Sequence, residues 1–260
     1  MRFASIGSGS EGNGLLVETT DGHRRHRVLI DCGFGPRRAR ERFQAVGVEP
    51  ESLAAILVTH EHADHIGGVF KLALAHRIPV YITHGTLHAA RVPEQARELL
   101  RPIGADDRFE LGGMQIHAVP VPHDAREPVQ YVMDDGRNRL GVLTDLGHGS
   151  ACVERAFSKL DALVLEANHD PDLLAGNPRY PPMLKRRIGG PFGHLANAAA
   201  GELLARLDPG RLKRLVAAHL SAHNNRPELA RAALAKALGC KADEIEVADQ
   251  ADGLAWRVLA

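Results

Sequence analysis

Residues 55–68 decide the fold, and they read AILVTHEHADHIGG. An apolar strand is followed directly by three histidines and an aspartate, and a helix is predicted to begin near the two glycines. Because side chains of an extended chain alternate in direction, His60 and His62 point the same way and can chelate one metal ion. Asp64 and His65 come after the chain turns and can reach a second ion nearby. Imidazole together with carboxylate suits Zn²⁺, Mn²⁺ or Fe.

The competing interpretation is a surface loop that happens to be rich in histidine. The position of the run, directly after an apolar strand and before Ile66-Gly67-Gly68, disfavours that interpretation. A buried group of imidazoles and carboxylates without a metal would also be costly, since their charges and lone pairs need partners. We therefore predict a metal site at this run.

The composition is that of an ordinary globular protein. The chain has 260 residues, of which 44% are hydrophobic, and we expect one domain over residues 1–260. The formal net charge is zero, so a nucleic-acid substrate would have to be bound by a local patch or by metals. The 15 histidines are unusual for this length and fit the predicted metal site.

Targeting signals are not visible in the sequence. The N-terminus shows no secretory signal peptide, and no stretch reaches membrane-spanning length. The three cysteines, Cys32, Cys152 and Cys240, are far apart and form no CxxC pair, as is typical of thiols in a reducing compartment. We expect a cytoplasmic protein with no membrane partner. The sequence leaves the oligomeric state open, a homodimer included.

The periodicity of apolar residues predicts an α+β protein in which sheets are layered with helices. Strands are predicted at Arg2–Ile6, Gly14–Glu18, Arg27–Asp31, Ala54–Val58, Val80–Thr83, Met114–Val119, Gln130–Met133, Leu140–Thr144, Ala162–Glu166, Arg214–Ala218, Ile245–Ala248 and Leu254–Val258. Helices are predicted at Arg37–Val46, Gly67–His76, Pro93–Leu100, Ala151–Lys159, Leu195–Leu207 and Pro227–Leu238. Residues 20–22 are predicted as a hairpin turn, and residues 168–193 as a long irregular loop.

One motif suggests a different function and is rejected. Residues 7–12 match GxGxxG after a strand, and Asp31 lies about twenty residues further on, as in a dinucleotide-binding fingerprint. That fingerprint requires a helix to begin at the glycines, whereas Gly14–Glu18 is predicted as a strand. We interpret the motif as a Gly/Ser turn between two strands.

The HxHxDH run resembles the signature of the metallo-β-lactamase superfamily. The resemblance implies a four-layered αβ/βα sandwich, in which two mixed sheets are flanked by helices and two divalent metal ions lie at one edge. Further ligands are then expected at later strand ends, where the sequence places His123, Asp145 and His219. By resemblance, one ion is held by His60, His62 and His123, the other by Asp64, His65 and His219, and Asp145 bridges both.

Further residues narrow the branch within this superfamily. Antibiotic-cleaving members usually carry Cys where this chain has Asp145. In the transfer-RNA 3′-processing nucleases of the superfamily, a strand-end Glu and a Gly-His at a helix start protonate the leaving group, and Glu166 and His194 match those positions. The alternative interpretation is that Glu166 and His194 have no role in the reaction.

Four segments taken together look like the YycJ/WalJ family. They are GSGSEGN at residues 7–13, RYPPMLKRRI at 179–188, GHLAN at 193–197 and HLSAHNN at 219–225. Members of that family are described as metal-dependent phosphodiesterases and are proposed to be DNA exonucleases. The chain departs from the family at Ala196, where Ser is common, and at His169, where Tyr is common.

The resemblance implies a dinuclear phosphodiesterase that acts on nucleic acid through a metal-bridging hydroxide. Asp64 would orient that hydroxide, and His194, held by Glu166, would protonate the departing oxygen. The predicted substrate contacts are Ser221, Asn168 and Asn224. The short basic run at residues 185–187 is interpreted equally well as a phosphate contact or as a solvated turn.

Three alternatives remain open at this point. Small or cyclic phosphodiesters would undergo the same chemistry, and the low aromatic content of 4% argues against an extensive stacking platform for single strands. A thioesterase of the glyoxalase type would share the ligand set. A metal-binding regulatory protein without turnover is the non-enzyme alternative.

Overall fold

The computed structural model describes residues 1–20, 22 and 24–259. The strands of the described chain are β1 (Arg2–Gly7), β2 (Gly14–Thr20), β3 (Arg25–Ile30), β4 (Leu53–Leu57), β5 (Val80–Thr83), β6 (Leu100–Ile103), β7 (Arg108–Leu111), β8 (Met114–Pro120), β9 (Val129–Asp134), β10 (Arg139–Leu143), β11 (Ala162–Glu166), β12 (Arg214–Ala218), β13 (Glu246–Val247) and β14 (Leu254–Val258). The helices are α1 (Pro36–Ala45), α2 (Ala63–Ile66), α3 (Val69–His76), α4 (His84–Ala89), α5 (Ala151–Ala156), α6 (Pro171–Gly176), α7 (Pro182–Ile188), α8 (Asn197–Arg206) and α9 (Pro227–Leu238).

The described strands form two seven-stranded mixed sheets. The first has the order β14-β1-β2-β3-β4-β5-β6, and the second has the order β13-β12-β11-β10-β9-β8-β7. In both sheets one half is antiparallel, and the other half, β3 to β6 or β10 to β13, is parallel. The carboxyl ends of parallel strands lie at one edge of each sheet, which is where open α/β sheets bind ligands.

The alternation of side chains along the strands separates three apolar layers. In β2, Leu15 and Val17 lie in a core between the two sheets, whereas Leu16 packs beneath α1 and α3 on the outer face. In β11, Val164 lies in the central core, whereas Leu163 packs with α5, α8 and α9. This arrangement is the predicted four-layered αβ/βα sandwich, and the fold prediction is confirmed.

Most predicted elements are present with small changes at their ends. The helix predicted at Pro227–Leu238 is found with those bounds; Pro at its first turn and Gly239 in the left-handed conformation at its end explain why the sequence signalled both limits. The GxGxxG segment joins β1 and β2, as interpreted. The turn predicted at residues 20–22 includes Asp21, which lies outside the described residues.

Two predictions of local structure were wrong, and two strands were not predicted. The helix predicted at Pro93–Leu100 is a short 3-10 helix followed by β6. Neither β6 nor β7 was predicted, because both are short edge strands, and β6 contains Pro102, which edge positions tolerate. The predicted loop at residues 168–193 contains α6 and α7, each with Pro at its first turn. Within the described residues, no helix is both long and apolar enough to cross a membrane.

Candidate metal centre

The candidate site lies where the parallel strands of both sheets end. The chain turns sharply there, and Asp31, Asp145 and His219 adopt positive φ angles of 58°, 50° and 53° directly after β3, shortly after β10 and directly after β12. Left-handed backbone is unfavourable for residues other than Gly and persists where surrounding contacts impose it, often at functional sites. The turns aim three polar side chains into one space between the sheets.

The HxHxDH run reaches the same space from β4 and α2. His62 is the extended residue that precedes α2, so His60 and His62 lie before the helix and Asp64 and His65 within it. Close packing fixes this turn, because a Cβ atom on Gly68 would lie 1.9 Å from the carbonyl oxygen of Phe34. Gly68, the second glycine at the end of the run, is therefore a steric requirement of the turn.

The first group of potential ligands consists of His60, His62 and His123. The Nδ1 atom of His62 lies 3.0 Å from Nε2 of His60 and 3.3 Å from Nε2 of His123. His123 comes from the segment between β8 and β9, and its Nδ1 donates to the carbonyl oxygen of Gly193 over 3.0 Å. That bond leaves Nε2 of His123 facing the group. One ligand atom from each of the three residues fits within 4.8 Å of the others.

The second group consists of Asp64, His65 and His219. An oxygen of Asp64 lies 3.5 Å from Nε2 of His65 and 3.5 Å from Nε2 of His219. These three ligand atoms also lie within 4.8 Å of one another. The two groups correspond to the two ligand sets that the resemblance implies.

Asp145 lies between the two groups. Its Oδ2 atom is 2.9 Å from Nε2 of His65, and its Oδ1 atom is 3.6 Å from Nε2 of His219 and 4.0 Å from Nε2 of His123. The side chain is only 2% exposed. A carboxylate in this position can contribute one oxygen to each group.

The donor set fits divalent cations. Among the described residues, Oδ2 of Asp145 and Nε2 of His219 are buried and form no hydrogen bond of good geometry. Buried polar atoms without partners are rare in proteins. Here Oδ2 of Asp145 faces Nε2 of His65 at 2.9 Å without the geometry of a hydrogen bond, and Nε2 of His219 faces carboxylate oxygens of Asp64 and Asp145 at 3.5 and 3.6 Å. A cation coordinated between these atoms would satisfy them, and neutral imidazole with carboxylate is a set that zinc and manganese accept.

Asp31 holds one of the candidate ligands in place, a role that the sequence analysis missed. It is buried, and its Oδ2 accepts hydrogen bonds from Nδ1 of His65 over 2.8 Å and from the Thr59 hydroxyl over 2.6 Å. Carboxylates that bind the second nitrogen of a ligating His fix its tautomer and orientation. The signal in the sequence was an apolar strand, β3, directly followed by Asp31. The sequence analysis considered Asp31 only as the acidic residue of the rejected dinucleotide-binding fingerprint.

The Gly/Ser turn between β1 and β2 also contacts the site. The Ser8 hydroxyl accepts a hydrogen bond from the backbone N–H of His219 over 2.8 Å. The Asn13 amide nitrogen lies 3.0 Å from Nε2 of His65. The turn thus supports candidate ligands from both sheets, whereas the sequence had indicated only a turn between two strands.

Glu166 and His194 form a pair beside the two groups. Nδ1 of His194 donates to Oε1 of Glu166 over 2.8 Å, so the Nε2 side of the ring is left for the cavity. Glu166 is fully buried, and its other oxygen accepts from the backbone N–H groups of Leu146 and Leu195. These contacts leave Glu166 in a place where it can orient His194 but not reach the cavity itself.

The electrostatics of this pair favour a protonated imidazole. Burial, the largest influence, lowers the pKa of His194, but the charge of Glu166 and the hydrogen bond to it raise that pKa above its ordinary value overall. Burial raises the pKa of Glu166, and the His194 charge and hydrogen bond outweigh it and lower that pKa. The two directions together favour the proton on His194 and the negative charge on Glu166.

Glu166 and His194 also offer ligand atoms near Asp145 and His219. The orphaned atoms belong to Asp145 and His219, however, whereas both oxygens of Glu166 already accept hydrogen bonds. This difference favours a proton-carrying pair over a third set of ligands.

A cavity of about 350 Å³ opens onto both groups. Its wall includes His194 and two of the three predicted substrate contacts, Ser221 and Asn168. Asn224 is not on the cavity wall: it is completely buried, accepts from the Asn177 amide, and donates to the Ser221 hydroxyl. The structure thus places Asn224 behind Ser221, where it can position that hydroxyl but not touch a substrate.

Comparisons with known proteins agree with this geometry. The sequence pattern of the beta-lactamase superfamily domain matches residues 26–219. Exodeoxyribonuclease YycJ of Bacillus anthracis is 32% identical over 246 residues, which are 92% of this chain and 89% of that protein. Exodeoxyribonuclease WalJ of Streptococcus pneumoniae is 32% identical over 240 residues, which are 88% of this chain and 85% of that protein.

A solved structure shares the fold over the full length. The crystal structure of Zn²⁺-bound PqqB from Methylobacterium extorquens superposes with a TM-score of 0.72 and 19% sequence identity, covering 100% of both chains. The fold, the two groups of potential ligands and the sequence matches lead to one assignment. The chain belongs to the metallo-β-lactamase superfamily, in its YycJ/WalJ-like branch.

Proposed function

We propose that this chain is a phosphodiesterase that hydrolyses DNA with two divalent metal ions, Zn²⁺ or Mn²⁺ being the first candidates and Fe the next. The observation that carries the proposal is His194, held by Glu166, on the wall of a cavity that both ligand groups share. Hydrolysis of a phosphodiester needs stabilisation of charge on phosphorus and a proton for the departing oxygen, and the site offers means for both.

The residues that would hold the ions are the two groups described above. One set is His60, His62 and His123, the other is Asp64, His65 and His219, and Asp145 would serve both. Bound divalent ions supply Lewis acidity, which lowers the pKa of coordinated water and neutralises charge on phosphate oxygens. Asp64 is a quarter exposed and lies on the cavity wall, so its carboxylate can also accept a proton from the attacking water.

His194 would deliver the proton that the leaving group needs. Its Nδ1 is engaged by Glu166, so the ring is fixed in one orientation and the proton is available at Nε2. Ser221 and Asn168 line the same cavity, and the Ser221 hydroxyl can donate to a phosphate oxygen. The substrate would thus be held between the candidate metal ligands and His194.

DNA is the proposed substrate because the YycJ and WalJ relatives described above, which match most of the chain, are named exodeoxyribonucleases. The alternative within the same chemistry is a small or cyclic phosphodiester. The cavity volume of about 350 Å³ favours that alternative in part, since it falls at the low end of the range for small-molecule sites.

Two experiments test the proposal. Purified protein with Mn²⁺ or Zn²⁺ is expected to hydrolyse bis(p-nitrophenyl) phosphate. If the protein binds two ions but shows no turnover with any divalent metal, the proposal that it is an enzyme is wrong. One preparation is then compared on duplex DNA, single-stranded DNA, RNA and 2′,3′-cyclic nucleotides. Preference for a cyclic nucleotide over every DNA substrate would replace the nuclease with the small-diester alternative.

A further inference from the structure

One face of α7 forms a wall of the cavity. Leu184, Arg187 and Ile188 line it, at a spacing of three and four residues that places them on the same side of a helix. Tyr180, four residues before Leu184, continues this wall. The wall therefore combines aromatic and aliphatic surface with one cation.

The structure distinguishes the three cations of the basic run at residues 185–187. Nζ of Lys185 donates to the carbonyl oxygen of Ala175 over 2.6 Å and ties α7 to α6. Arg186 is exposed and is not part of the cavity wall. Arg187 lies on the wall, so it is the member of the run that a substrate in this cavity would meet.

Asp124 holds Arg187 in position. Nε of Arg187 donates to Oδ2 of Asp124 over 2.5 Å. The other oxygen of Asp124 lies 3.4 Å from Nε2 of His123 and 3.8 Å from Nε2 of His62. The backbone of Asp124 is fixed as well, since its N–H donates to the carbonyl oxygen of Phe192 over 2.9 Å. The Asp124 carboxylate therefore lies between the Arg187 guanidinium and the first ligand group and contacts both.

The terminal nitrogens of Arg187 remain available. Within the part of the chain that the structure describes, its hydrogen bond and its ion pair to Asp124 both use Nε, and neither Nη atom has a recorded partner. The side chain is 59% exposed and lines the cavity, so a ligand in the cavity can reach these N–H groups. A guanidinium offers such groups in a planar fork that matches two oxygens of a phosphate.

We propose that Arg187, positioned by Asp124, binds a phosphate of the substrate other than the one that is hydrolysed. This inference rests on the proposed function. The reacting phosphate belongs beside Asp145, between the two ligand groups, whereas Arg187 lies beyond the carboxylate of Asp124. A substrate that reaches both places must carry two phosphates on neighbouring positions, as a nucleic-acid strand does and a simple cyclic phosphodiester does not.

The test compares a ligand with two phosphates to ligands with one. Thymidine 3′,5′-bisphosphate and the thymidine 3′- and 5′-monophosphates contain no diester bond, so binding can be measured by titration calorimetry on the metal-loaded protein. The wild type is expected to bind the bisphosphate roughly tenfold or more tightly than either monophosphate. In Arg187→Gln the preference should fall to about twofold or less, and in the matched control Arg186→Gln it should persist.

Two results would overturn the inference. One is a wild type without preference for the bisphosphate. The other is an Arg187→Gln variant that keeps the preference, and equal weakening of all three ligands in that variant would indicate a contact to the reacting phosphate instead. Because Arg187 is largely exposed, the variant is expected to fold, and its metal content is measured alongside. The bisphosphate preference is also measured in Arg187→Lys, which keeps the positive charge but lacks the planar pair of N–H donors.

Failure of the proposed function looks different from failure of this inference. The function fails when the wild type does not hydrolyse bis(p-nitrophenyl) phosphate, whatever the binding data show. The inference fails when the wild type is active and the bisphosphate preference does not depend on Arg187.

Discussion

Replacement of His194 by Ala tests the chemistry of the site most directly. The substitution removes the imidazole whose Nδ1 donates to Glu166 over 2.8 Å and whose side chain is 22% exposed on the cavity wall. Neither ligand group loses a member, so both metals should remain bound. Glu166 keeps its hydrogen bonds from Leu146 and Leu195, and the loss of one charged partner should cost stability only about 1.5–3 kcal/mol.

The expected loss of activity depends on the leaving group. General acid catalysis contributes roughly a hundredfold to ten-thousandfold, which corresponds to about 2.7–5.4 kcal/mol of activation free energy. An oligonucleotide releases an alkoxide, which needs the proton, so kcat/KM for DNA should fall by that factor. p-Nitrophenolate leaves without protonation, so kcat/KM for bis(p-nitrophenyl) phosphate should change by about tenfold or less.

The assay measures both substrates and the metal content on one preparation. His117→Ala is the matched control, because His117 pairs with Asp106 and is not part of the cavity wall. Equal losses on the two substrates would refute the proton-donor argument. Loss of metal from His194→Ala would make His194 a ligand, as its proximity to Asp145 and His219 also permits.

Three further predictions follow from the same contacts. Asp31→Asn should weaken metal affinity roughly 10- to 100-fold while the fold is retained, because the Asp31 carboxylate orients the His65 ring; chelator competition measures this, and unchanged affinity would contradict it. Since Glu166 raises the pKa of His194, Glu166→Gln should shift the alkaline limb of the pH–rate profile for DNA to lower pH, and a limb that stays or rises would contradict that cause. Gly68→Ala should lower the free energy of unfolding by about 1–3 kcal/mol, because its Cβ would lie 1.9 Å from a carbonyl oxygen, and an unchanged urea midpoint would exclude this tight packing.

The local rules of the sequence determined the layered fold and most of the candidate ligands. Short apolar runs predicted the central strands, because a strand that is buried on both faces is apolar along its whole length. The same segments predicted where His60 and His62 stand, since period two puts both on one side of an extended chain. The edge strands β6 and β7 were not predicted from the sequence, because little of their surface is buried and the pattern of apolar residues is weak there.

Only the tertiary structure decided how distant residues share one space. Asp31 is twenty-eight positions before Thr59, yet it holds Thr59 and His65 because β3 and β4 are parallel neighbours. No pattern within a window of sequence encodes that neighbourhood, since it depends on strand order.

The cavity wall shows the same limit. The basic run at residues 185–187 is uniform as sequence, and the direction of each side chain in α7 separates Arg187 from its two neighbours. Asn224 and Ser221 were predicted alike, yet burial put one amide behind the wall and left the hydroxyl on it. The run at residues 59–65 therefore predicted a metal site from its own spacing, whereas packing between the two sheets decided which remaining side chains surround it.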